Sequence, residues 1–180
     1  MDRGDLVREA VPALVRAAGL LARFCDRTEH NEASERSEVI DAGRVLRETS
    51  LRLFGGMGLD PVGSYLGRLN RVESRYPLAD ARAGDATGSE RTAETWRDLQ
   101  QVQARHDAAY HPDVIGMPKL EQLRHYTLHV AKLAWLTQEA LSDESLVEDY
   151  VQNRLPDLLL FGIKLATVVG MILPDEPITA

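Results

Sequence analysis

Four of the five histidines in this 180-residue chain fall between His106 and His129. They stand in two short runs, His106-Asp107-Ala-Ala-Tyr-His111-Pro-Asp113 and His125-Tyr-Thr-Leu-His129. On a helix, His125 and His129 project from one face and can share a metal ion, as residues four apart do. His106, Asp107 and His111 precede them on a helix and its final turn, and an antiparallel packing of the two helices would bring both groups to one centre. A mixed imidazole and carboxylate set suits Zn, Mn, Fe or Ni, whereas Mg and Ca prefer oxygen alone. Such a metal would activate water, with Asp107 or Asp157 completing its ligands. Arg124 would then serve as a phosphate clamp, because its planar fork engages two oxygens. The chemistry expected is metal-dependent hydrolysis of a small phosphate-containing molecule. A plainer reading stands beside it. By helical-wheel angle His125 and His129 turn away from the apolar stripe toward Glu121 and Lys132 and form a polar face, His106 is a core histidine, and His111 before Pro112 ends a helix.

Other chemically suggestive spacings resolve less sharply. Glu29, Glu32, Glu35, Glu38 and Asp41 recur every three residues. A three-residue repeat drifts by about 60° per step on a helix of 3.6 residues per turn, so these acids spiral around it instead of sharing one Mg²⁺-binding face. Gly55-Gly56-Met57-Gly58 lacks the preceding strand and following Lys-Ser/Thr of a P-loop and reads as a helix stop. Ser64 lacks the strand-turn-helix setting of an exposed nucleophile. Glu121 and His125 are four apart, not the three of a di-iron bundle. Cys25 has no partner for an internal disulfide and follows Leu21, Ala22 and Phe24, which predicts a buried, inert thiol.

The elements that must position these residues are helices. Ala, Leu, Arg and Glu dominate, only 6% of residues are aromatic, and alternating apolar patterns are rare. The expectation is a single all-α domain, a bundle of six to seven helices. The first should span about 5–27, with Val11, Leu14, Val15, Ala18, Leu21 and Ala22 inward and Pro12 as a kink or restart. The second runs over about 34–54, and the third starts on Asp60-Pro61 and stops at Pro77. A mobile loop follows over about 77–90. A fourth helix covers about 90–110 through Trp96, Leu99, Gln103, His106 and Tyr110. A fifth covers about 118–141 through Leu120, Leu123, Thr127, Val130, Ala134 and Leu141. The sixth begins after a Ser142 cap, and Pro156 sets it off from a last helix over about 157–171.

Charge and hydropathy narrow the partners. A formal net charge of -7 opposes binding to a nucleic-acid backbone. The longest apolar run, Leu158 to Leu173, falls short of the roughly 20 residues of a bilayer span and carries Lys164 in its middle, which predicts a core helix and no membrane partner. The region after Met1 is broken by Arg8, Glu9 and Arg16, unlike a signal peptide, so the expected compartment is the cytoplasm.

The run Leu128-His-Val-Ala-Lys-Leu-Ala-Trp135, with the later Asn153-Arg-Leu-Pro-Asp-Leu-Leu-Leu-Phe-Gly-Ile-Lys-Leu-Ala-Thr-Val-Val-Gly-Met171, resembles the MazG-like all-α nucleoside triphosphate pyrophosphohydrolases. The likeness covers about the C-terminal third. It implies a helical scaffold, usually a dimer or a tetramer-like bundle, in which a Glu-x-x-Glu pair on one helix and Glu-x-x-Asp on the next hold Mg²⁺ on phosphates. Here His129 and Lys132 stand near the first pair, Arg154 takes the first position of the second, and Asp157 alone matches. Two outcomes follow. Either the histidines have changed the metal, or the scaffold has lost the chemistry and serves as a non-catalytic module that forms a homodimer or binds a partner through its apolar C-terminal helix.

Overall fold

The computed structural model describes residues 3–77 and 92–179, and within them the protein is all-α. Its helices are α1 (Arg3–Glu29), α2 (Arg36–Gly56), α3 (Pro61–Arg75), α4 (Trp96–Tyr110), the single turn α5 (Pro112–Ile115), α6 (Lys119–Ser142), the short α7 (Val147–Asp149) and α8 (Leu155–Val168). The loop expected over about 77–90 lies outside the described residues except for Pro77. The ends follow local chemistry. Asp60 accepts from the Val62 and Gly63 amides with Pro61 in the first turn of α3. Thr95 and Asp98 form a reciprocal capping box, so α4 opens at Trp96, several residues after the expected start. The α2 helix stops at the expected glycines, with Gly58 at φ 66°.

Two sequence expectations for α1 are corrected. The helix runs unbroken through Pro12, whose exposed position leaves the carbonyl it cannot bond open to water. Its inward face is Leu6, Ala10, Leu14, Ala17, Leu21 and Cys25, while Val15 is 57% exposed. Steps of four with a single step of three carry this stripe, and the small Ala10 and Ala17 keep it close to its neighbours.

The α8 helix is the centre of the molecule. It packs on α2, α3, α4 and α6, and α1 lies against α2 and α6. Gly43 and Gly162 meet where α2 crosses α8, and Arg47 donates to the Gly162 carbonyl at 2.8 Å. Leu155, Leu158, Leu159, Ile163, Leu165 and Ala166 of the apolar α8 helix are covered by the chain's own helices. None of the described helices is long and apolar enough to cross a membrane. Past α8 the chain returns over the start of α4, where the Trp96 and Arg97 amides donate to the carbonyls of Glu176 and Pro174, both at 3.2 Å. The tail thus satisfies amides that a helix start leaves without partners.

Candidate functional site

A cavity of about 680 Å³ opens between α3, the end of α4, α6 and the start of α8. Its wall carries Arg68, Arg71 and Arg75 from α3, Lys132 from α6, and Arg154 and Lys164 from the C-terminal helical segment. Asp157 is the one carboxylate among the described lining residues, and Arg68 holds it at 2.9 Å. Leu69, Val72, Tyr76, Val114, Leu160 and Phe161 supply an apolar and aromatic side.

A defect in the helix ladder shapes one wall. Between Tyr150 and Arg154 the backbone widens into a π turn, with the Leu155 amide bonding back to the Tyr150 carbonyl. Pro156 follows, and it has no N–H to offer the preceding turn. Two carbonyls of this turn are taken by α3: Arg71 donates to that of Gln152, which Pro156 leaves without its helical donor, and Arg68 Nε donates to that of Asn153 at 3.1 Å. The proline therefore does more than separate two helices. It leaves an acceptor for Arg71 beside the Asn153 carbonyl that Arg68 takes, in keeping with the tendency of π bulges to mark functional sites.

Behind the wall a buried polar network ties α3, α4 and α8. The Tyr65 hydroxyl bonds Gln103 Oε1, Gln103 Nε2 donates to Asp107 Oδ1 at 2.8 Å, and Lys164 Nζ reaches the same oxygen at 2.7 Å. Lys164 also lies over the rings of Tyr126 and Phe161, a placement that suits a partly desolvated ammonium. Separately, Nδ1 of His106 donates to Glu73 Oε1 at 2.8 Å. Both partners are almost fully buried, so His106 is a core histidine, bonded to a carboxylate of α3.

The imidazoles share the cavity without forming one centre. His106, Asp107 and His111 present ligand atoms within 4.8 Å of one another. His125 and His129 are not part of that group. They line the same cavity with ring centroids 4.7 Å apart, and His129 stacks on Phe161. Their wheel position, read as a polar face, is a half-buried cavity wall, because α3 and α8 cover what a single helix shows as outward. Burial lowers the pKa of His106 and His111. Burial, aided by Lys132 and His125, pushes His129 down to about 4. Burial also raises the Asp157 carboxyl, against the pull of Arg68.

Arg124 stands elsewhere. It is exposed, pairs with Glu29 of α1 and does not line the cavity. The three-residue acid repeat likewise disperses, with Glu38 buried against Arg23 at 2.6 Å and Asp41 paired with Arg44. Cys25 is buried, and burial raises its thiol pKa. Arg68, Arg71, Arg75 and Glu73 were not singled out from the sequence, and Lys164 was noted only as a charge inside the apolar run. Three arginines at three- and four-residue steps form a cationic helix face, and a lone lysine in an apolar helix needs a buried partner, so both signals were present. The chain matches no family model, no curated protein and no solved structure.

Proposed function

We propose that this chain binds a small, multiply charged, phosphate-containing molecule in the cavity between α3, α4, α6 and α8. The observation that carries the reading is a charge reversal. A chain of net charge -7 lines one cavity with six Lys and Arg side chains and a single carboxylate; Asp157, Asp107 and Asp149 pair with Arg68, Lys164 and Arg154, which leaves Arg71, Arg75 and Lys132 without an acidic partner among the described residues. Burying like charges together is costly unless something neutralises them. Lys132 and Arg75 have no acidic group within ion-pair distance among the described residues, Arg154 Nε is a buried donor with no hydrogen-bond partner and only a long 3.8 Å ion pair to Asp149, and Tyr76 and Phe161 offer an apolar side to the rest of a ligand.

The MazG-like resemblance supports the same reading. His129, Lys132, Arg154 and Asp157, the positions where it leads one to expect Mg²⁺-holding acids, all line this cavity. With lysine and arginine there, fixed ammonium and guanidinium charges meet the phosphates directly. The test is calorimetric titration of tag-free protein with inorganic pyrophosphate in the presence of a chelator. One site per chain is expected, with affinity reduced at least tenfold in a Lys132→Ala, Arg154→Ala variant. Absence of binding at millimolar pyrophosphate, or binding indifferent to both substitutions, removes the proposal.

Metal-dependent hydrolysis is a second reading, favoured by His106, Asp107 and His111, whose ligand atoms lie within 4.8 Å of one another and whose two imidazoles line the cavity. It requires phosphate release that depends on added Zn²⁺ or Mn²⁺ and disappears in His111→Ala.

A further inference from the structure

We infer that His106, Asp107 and His111 form a binding site for one d-block divalent ion, held at the C-terminal end of α4. The inference underlies the hydrolytic reading but does not depend on the anion-binding one. All three residues come from the last turn of α4 and the residue that ends it, where His111 N bonds the Asp107 carbonyl at 2.9 Å. Their ligand atoms lie within 4.8 Å of one another, which leaves a small inward movement to reach the roughly 2.0–2.2 Å bonds of a zinc-type site. A helix C-terminus also carries partial negative charge, which favours a cation.

The surroundings of each ligand point the same way. Glu73 takes the Nδ1 proton of His106, so the Nε2 lone pair is the one available for coordination. This carboxylate–imidazole arrangement fixes the tautomer of metal-binding histidines and raises their basicity. Gln103 and Lys164 both engage Oδ1 of Asp107, leaving Oδ2 with no described partner. Two imidazoles and one carboxylate select Zn²⁺, Co²⁺, Fe²⁺, Mn²⁺ or Ni²⁺ over Mg²⁺, and three protein ligands leave a position for water or a ligand oxygen. His106 and His111 line the cavity, so that position is reached from it. His125 and His129 stand outside the set.

Titration of tag-free protein with Co²⁺, followed by its visible absorption and by competition with Zn²⁺, tests the site without any substrate. One Co²⁺ per chain is expected. His111→Ala, at a half-buried helix junction, and His106→Ala should abolish binding, while the His125→Ala, His129→Ala pair should retain it. Glu73→Gln should weaken binding about 10–100-fold, as loss of such supporting carboxylates does. Far-ultraviolet circular dichroism identifies which variants keep their fold, and His111→Ala decides the matter if His106→Ala does not. The site is ruled out if the parent protein takes up neither ion at millimolar concentration. It is equally ruled out if uptake survives in folded His111→Ala or is lost with His125 and His129. Pyrophosphate binding measured in chelator is independent of all these outcomes, so either proposal can fail alone.

Discussion

His129 shows how one side chain carries both stability and site chemistry. Its ring lies on Phe161 beside Lys132 and His125, which together hold its pKa near 4. An unfolded imidazole titrates near 6.5. Between these values the unfolded chain binds the extra proton, so the stabilisation is present above about pH 6.5 and declines as pH falls toward 4. His106 and His111 shift in the same direction. Asp157 acts oppositely, since burial makes its folded carboxyl the better proton acceptor, and its contribution is lost as pH rises through the folded value. Urea unfolding should therefore show a midpoint that drops between pH 7 and pH 4.5, with a shallower drop in His129→Gln. An identical pH dependence in parent and variant would mean that the ring is not held neutral by its surroundings. The sequence marked this histidine through its spacing from His125. It could not show the burial, because Phe161 and Lys164 reach the site from a helix some thirty residues later.

At the scale of elements, the crossing of α2 over α8 depends on two glycines. A Cβ on Gly162 would sit 2.7 Å from Arg47 Cγ and 3.1 Å from the Gly43 carbonyl, so the backbones would have to separate. Gly162→Ala should destabilise the protein by about 1–3 kcal/mol, the usual cost of overpacking. Gly19 provides the contrast. It is exposed within α1 and a Cβ there meets nothing within 4 Å, so Gly19→Ala should stabilise by up to about 1 kcal/mol through helix propensity. Urea denaturation of the pair checks both signs, and two changes of the same sign would refute the crossing. Helix identity was largely legible from the sequence, since Asp60-Pro61, the Gly55–Gly58 stop and the α6 stripe act over a few residues. The inward face of α1 was not, because Val11 and Val15 satisfy a helical period as well as Ala10 and Ala17 do. Partner helices decide which stripe is buried. The role of Pro156 was half legible: a break was expected, but the π turn and its arginine partners depend on α3.

The whole molecule divides into a densely packed frame of α1, α2, α6 and α8 and a lighter wall of α3 and α4. The wall is fastened by a few polar links, Tyr65 to Gln103, Glu73 to His106, Asp107 to Lys164 and Arg68 to Asp157, and by the tail over the start of α4. The cavity lies between frame and wall, and cations face it from both sides, Arg68, Arg71 and Arg75 across from Lys132, Arg154 and Lys164. Asp157 and Asp107 hold Arg68 and Lys164 across this boundary, and an anion in the cavity would add a link between Arg71 and Arg75 on the wall and Lys132 on the frame. Local opening has its own free energy in each segment, and thinly packed elements open first. Backbone amides of α3 and α4 should therefore exchange with deuterium faster than those of α2 and α8. Saturating pyrophosphate should slow α3 and α4 most, since a ligand at a hundredfold its dissociation constant stabilises the bound form by about 2.7 kcal/mol. Uniform slowing across every helix would instead indicate that the anion stabilises the fold as one unit. Protection confined to the α1–α2 face would place it away from the cavity altogether.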